Sequence, residues 1–209
     1  MDIRIKEIVD ITKAKFGLNN YYLHLHYLNR NVNMFNETEY TLSMEWFPSN
    51  AIQEEDGSNP DGTASIEFNL NTRKFQSAIF VMGKSYAENG VTFTDLEDVV
   101  KWIEAETGLS SREQFTLQKV EDGEILFRGC IDDVPVSPPA HIEVKYDDAG
   151  KLMFFSIYGH FPSKEELKEE TYSLSFEKIE IIAKEQLKLL EFPSFESKKL
   201  VPVYGVEEV

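Results

Sequence analysis

Residues 140–190 read AHIEVKYDDAGKLMFFSIYGHFPSKEELKEETYSLSFEKIEIIAKEQLKLL. Apolar and polar residues alternate as in a strand, break at Asp147-Asp148-Ala149-Gly150, and resume through a second strand. A polar linker follows, and from Phe176 the apolar residues recur at helical spacing. Residues 64–109, ASIEFNLNTRKFQSAIFVMGKSYAENGVTFTDLEDVVKWIEAETGL, have the same plan. The chain is organised around a helix-plus-hairpin unit used more than once, which makes the expected fold α+β.

Aligning Ile5 with Leu96 brings Ile8 onto Val99, Val9 onto Val100, Gly17 onto Gly108 and Leu18 onto Leu109. Aligning Leu96 with Phe176 brings Val99 onto Ile179 and Trp102 onto Ile182. The hairpins match as well, Ala64-Ser65-Ile66-Glu67 against Ala140-His141-Ile142-Glu143. Three helices therefore recur at intervals of roughly 80–90 residues. The expected boundaries are 1–90 for a first helix-plus-antiparallel-sheet unit, 91–170 for a second, and 171–209 for a third helix and terminal strand, an incomplete third unit.

Outward from these stretches, Ile5, Ile8, Val9, Thr12 and Phe16 predict a helix over 3–16, stopped by Gly17, with Lys6, Asp10, Lys13 and Lys15 on its wet side. Residues 21–30 predict a strand in which Tyr21, Leu23, Leu25 and Tyr27 oppose Tyr22, His24, His26 and Leu28. Both faces are partly apolar, so this strand is expected to be covered on both sides or to sit near an interface. The next strand sets Tyr40, Leu42, Met44 and Trp46 toward the core. Thr94-Asp95-Leu96-Glu97 has the form of a capping box, and Gly108 ends that helix. Pro135, Pro138 and Pro139 exclude a central strand there. The third helix is expected to reach Leu190 and to be buried on more than one side, with Ser175 as its cap and Leu174 and Ile179 as a hydrophobic staple.

Composition limits the partners. Thirty-seven acidic residues against 21 basic ones give a formal net charge of -16, and no Lys/Arg cluster is present to release counterions from a nucleic-acid backbone. No apolar run is long enough to span a bilayer, and the first residues lack a signal-peptide core, so no membrane insertion and a cytoplasmic location are expected. The lone cysteine, Cys130, excludes an intrachain disulfide.

Few residues suggest chemistry. His24 and His26, two apart on a strand, would share a face and make half a metal site, but no third ligand is within reach in sequence. The Glu54–Gly62 loop is oxygen-rich like a calcium loop but departs from the EF-hand order, with Pro60 where a ligand would fall. Cys130 is expected to be a buried, inert thiol. No P-loop, dinucleotide fingerprint, nucleophile elbow or His-Glu-x-x-His helix occurs. No catalytic, cofactor or metal residue is therefore assigned. Trp46-Phe47 at a strand end and Arg128 on a later strand are the candidate partner-binding residues.

Residues 126–206 resemble the PepSY domain and the related YcdB/YcdC repeated domain of bacteria. The segment LFRGCIDDVPVSPPAHIEVKYDDAGKL is similar to the family's succession of aromatic-containing strand, short turn, strand and Asp/Gly turn. Phe127, Arg128, Val134, Pro135, Val136, Asp147 and Gly150 occupy matching positions, and Pro202–Val206 looks like a further family strand. The resemblance implies two tandem cystatin-like units, each one helix on an antiparallel sheet, and a role in inhibiting or regulating peptidases without catalytic residues. Its members are usually exported, whereas this chain lacks an export signal. The expected function is a non-catalytic binding or regulatory protein, engaging a protein partner or itself. The alternatives are a small-molecule or peptide pocket between helix and sheet, or a hydrolase-like enzyme using unassigned acidic residues.

Overall fold

The first turn of α1 (Ile3–Lys15) is set by Asp2, whose carboxylate accepts the Arg4 backbone N–H at 2.8 Å. Thr12 and Phe16 are buried, and Thr12 Oγ1 donates to the Ile8 carbonyl at 2.7 Å, which lets a hydroxyl enter the core satisfied. Gly17 then turns the chain at φ +66°, and a Cβ there would lie 2.3 Å from the Glu88 carbonyl oxygen. Helix α2 (Leu96–Thr107) starts one residue later than the sequence suggested. Asp95 is its cap, accepting from the Asp98 N–H at 3.0 Å, while Asp98 accepts from the Thr94 N–H at 3.1 Å. Gly108 ends it at φ +77°.

The computed structural model describes residues 2–33, 35–51, 58–121, 123–167, 175–194 and 198–206. The fold is α+β, with a large antiparallel sheet and, among the described residues, three α-helices. The chain divides into two bodies, residues 1–167 and 168–209.

In the first body the strands are β1 (Tyr21–Val32), β2 (Thr38–Pro48), β3 (Ala64–Asn69), β4 (Lys74–Phe80), β5 (Phe115–Glu121), β6 (Glu124–Ile131), β7 (Val134–Pro135), β8 (His141–Tyr146) and β9 (Leu152–Tyr158). Their order is β1-β2-β3-β4-β9-β8-β6-β5, with the two-residue β7 beside β6. The order reads outward alike from the central β4–β9 pair, each side holding four strands that follow one helix. The strands before and after residue 90 thus hydrogen-bond into one sheet.

One row of paired residues explains why both sides share a core. Met44, Ile66, Ala78, Phe155, Val144 and Ile125 lie opposite one another from β2 to β6, and all are buried. Both helices cover this face: Thr12 of α1 touches Met44, and Trp102 of α2 packs edge-on against Phe155 with ring centroids 4.9 Å apart. The row on the other face is largely polar: Ser43, Glu67, Ser77, Ser156 and Glu143, with Leu126 at its end. Glu67 there accepts from Ser43 at 3.2 Å and from Ser77 at 3.4 Å.

Two expectations about side chains change. Lys15, expected on the wet side of α1, pairs with Glu106 of α2 and lies over the Phe75 ring. In β1, a bulge between Leu23 and Leu25 reverses the alternation, so Tyr21, Leu23, His26 and Leu28 share the helix-covered face.

The second body comprises α3 (Phe176–Gln186) and the antiparallel hairpin of β10 (Leu187–Ser194) and β11 (Lys199–Val206). The helix stops at Gln186, short of the expected Leu190, because Leu187–Ser194 pairs with β11. That pairing overrides a helical pattern in sequence. α3 is not buried on several sides: Phe176 is 77% exposed and Ile181 60%. A helix and one hairpin offer too little surface to enclose it. Ser175 holds the cap position without a capping bond, and Leu174 of the expected staple lies outside the described residues.

Candidate functional site

β1 is an edge of the large sheet. It pairs with β2 along its whole length, and among the described residues no strand occupies its other side. Its exposed apolar side chains are Tyr22 at 48%, Leu25 at 47%, Tyr27 at 46%, Leu28 at 53% and Val32 at 58%. Edge strands are ordinarily protected by shortness, proline, lysine or bulges. β1 has one bulge, but it runs 12 residues with neither proline nor lysine. Of the two expectations for this strand, cover on both faces does not hold and a place near an interface stays open: β1 is half-exposed, and among the described residues its outer hydrogen-bonding edge is free.

Leu28 connects this edge to a groove of about 690 Å³ under the first turns of α1. Ile5, Ile8, Leu28, Tyr40, Phe68 and Leu70 form its apolar wall, and Asp2, Arg4, Glu7 and Arg73 also line it. Its size suits a side chain or a small molecule. A strand laid along β1 would have alternate side chains on the helix-covered face, next to this groove.

A second cavity of about 610 Å³ is formed where the β1–β2 hairpin tip, the end of β9 and the end of α2 meet. Phe35 packs edge-on against His160, ring centroids 4.9 Å apart. His160 Nε2 is 2.6 Å from Glu166 Oε2, and Glu166 Oε1 accepts the Ser163 N–H at 2.8 Å. That backbone N–H, and then the His160 ring, hold the Glu166 carboxyl below its usual range. A carboxylate-oriented imidazole can relay a proton, but the described lining of this cavity contains no Ser or Cys to act as nucleophile.

The residues singled out from sequence fall apart in space. Trp46 and Phe47 are each 2% exposed, so neither ring is a free surface anchor in this chain. Trp46 belongs to the buried face of β2, and among the described residues its indole N–H has no hydrogen-bond partner. Phe47 lies on the opposite face beneath His24, the rings stacked 4.0 Å apart. Arg128 is half-buried on β6, opposite His141 of β8 and Thr116 of β5, far across the sheet order from β1.

The bulge also separates the two strand histidines. His26 sits opposite Met44 on the helix-covered face, whereas His24 stacks on Phe47 on the other. No group of three metal-binding side chains occurs among the described residues. Cys130 is buried, with its sulfur 3.8 Å from the Arg112 carbonyl oxygen, and burial raises its thiol pKa. Of the acidic loop, Glu54–Gly57 lies outside the described residues, and Asp61 pairs with Lys84. Among the described residues no helix is long and apolar enough to cross a membrane.

Sequence reasoning expected an exposed strand edge but could not say which strand forms it, because strand order is a long-range property. The signal available was the run Tyr21–Leu28, apolar on both faces. No family model, curated protein or solved structure matches this chain.

Proposed function

We propose that the protein is a non-catalytic binding protein that engages a protein partner by strand addition to β1. The observation that carries the reading is a 12-residue edge with no strand on its outer side among the described residues and five half-exposed apolar side chains. Main-chain hydrogen bonds along such an edge supply affinity, and pockets for alternate side chains supply specificity. The α1 groove beside Leu28 is suited to the second task. The mirrored strand order, helix and four strands on each side, supports a reading as two tandem PepSY-like, cystatin-like units. The net charge of -16 makes nucleic acid an unfavourable partner.

Selection of strand-forming peptides on the immobilised chain, followed by backbone hydrogen exchange, tests the proposal. Bound peptide should slow exchange across Tyr21–Val32, and Tyr27→Lys should weaken binding by about tenfold or more. A chain that retains no peptide and gains no protection at β1 would overturn it.

The groove also supports a second reading, a pocket for a small apolar molecule between α1 and the sheet. A ligand that raises the melting temperature and protects α1 while leaving β1 exchange unchanged would favour it.

A further inference from the structure

The edge of β1 differs chemically from the rest of the chain. Asp and Glu account for 37 of 209 residues, yet Tyr21–Val32 contains neither, and it carries the cationic Arg30. β4 and β9 are likewise free of acids, and they pair with each other at the centre of the sheet. β11 of the second body also lacks acids, but it carries Lys199 and Pro202, which protect an edge where β1 has neither lysine nor proline. The opposite edge, β5, ends on Glu121. Two copies of a chain with net charge -16 repel over most of their surfaces. An unpaired strand without carboxylates is where that repulsion is locally weakest.

The strand also matches itself. Beyond the bulge, Leu25, Tyr27 and Asn29 share the face of Ser43, while His26, Leu28 and Arg30 share the face of Met44. Antiparallel pairing about a two-fold axis at Tyr27 preserves both faces. Tyr27 then meets its own copy, His26 meets Leu28, and Leu25 meets Asn29. Neither strand brings a carboxylate into these rows, and Leu25, Tyr27 and Leu28 are about half exposed in one copy. The Tyr27–Tyr27 aromatic pair is of the cross-strand kind that stabilises a sheet.

We infer that the strand added to β1 is β1 of a second copy, so that two chains form a two-fold dimer with one antiparallel sheet running through both. This rests on the strand-addition reading and names its occupant. The charge makes a specific demand: screening should strengthen the dimer, whereas it would weaken capture of a basic partner.

Sedimentation of the full chain over a range of concentrations tests this, in about 0.1 M and about 1 M salt, between which the Debye length falls from ~10 to ~3 Å. The expected result is a dimer whose association tightens at the higher salt, with exchange at Tyr21–Val32 slowing as concentration rises. Tyr27→Lys, with an unchanged circular-dichroism spectrum, should weaken it by about tenfold or more, since like charges would meet across the axis, and Leu25→Lys should weaken it less, because its lysine would face Asn29. A chain that stays monomeric, or a dimer indifferent to both variants, would overturn the inference. If an unrelated strand-forming peptide still protects β1 in that monomer, strand addition stands and only the occupant is wrong. If no peptide protects it, both fall.

Discussion

Lys15 at the end of α1 forms an ion pair with Glu106 near the end of α2, and the two partners are unequally buried, 33% and 7% exposed. The pair joins the helices of the two halves over the shared core. Lys15 can swing its ammonium to water if its partner goes; Glu106 has no such exit. Lys15→Met should therefore cost about 2–3 kcal/mol, as it leaves a carboxylate buried alone, while Glu106→Gln should cost about 1 kcal/mol. Urea unfolding of both variants measures this, and equal or reversed costs would show that burial does not govern the pair.

Gly150 lies at φ +77°, where a Cβ would come 2.1 Å from the Phe93 carbonyl oxygen. Phe93 N–H donates to the Gly150 carbonyl at 2.8 Å, tying the segment before α2 to the β8–β9 turn. Gly83 has a similar φ of +60° but open space around its Cβ position. Gly83→Ala should cost about 1 kcal/mol for the left-handed backbone alone, and Gly150→Ala at least about 2 kcal/mol more. Thermal or urea melts of the two variants separate strain from collision.

Val99 is fully buried on the inner face of α2. Val99→Asp should remove most of the stability of the first body, since an unpaired charge there costs several kcal/mol or about as much as a domain's whole margin. An unchanged melting curve would mean that α2 does not cover the sheet.

Cys130 should resist thiol reagents in the folded chain. It is buried, and desolvation raises its pKa, so thiolate is scarce as well as shielded. Labelling at about pH 8 should follow global unfolding and appear only as denaturant reaches the transition.

Glu166 should titrate below an ordinary glutamate. Its folded pKa is lowered, so the contacts it makes with Ser163 and His160 are present above the unfolded value and lost as pH falls through the folded one. Carboxyl-carbon NMR would show the low midpoint. His160→Ala should raise it only part of the way, since the Ser163 N–H is the larger cause.

Local patterns made much of the fold legible. The helical spacing of Ile5, Ile8 and Thr12, the left-handed glycines Gly17 and Gly108, and the Ala64-Ser65-Ile66-Glu67 and Ala140-His141-Ile142-Glu143 strands were all readable. Each depends on residues a few positions apart. Where a distant segment intervened, the pattern misled: Leu187–Ser194 became a strand because β11 pairs with it, and Lys15 turned inward because Glu106 waits on the other helix.

The candidate site was less legible for the same reason. Trp46 and Phe47 sit in one short motif, but successive residues of a strand face opposite ways, and both faces of β2 are covered at that point. His24 and His26 have metal-like spacing until the bulge puts them on opposite faces. Alternation and helical periodicity, set by backbone geometry, determined from sequence alone that this is an α+β chain with repeated elements. Which strands are neighbours, and hence that β1 is an open edge, was decided only by the tertiary structure, because strand pairing joins backbone groups that carry no sequence label of their partner.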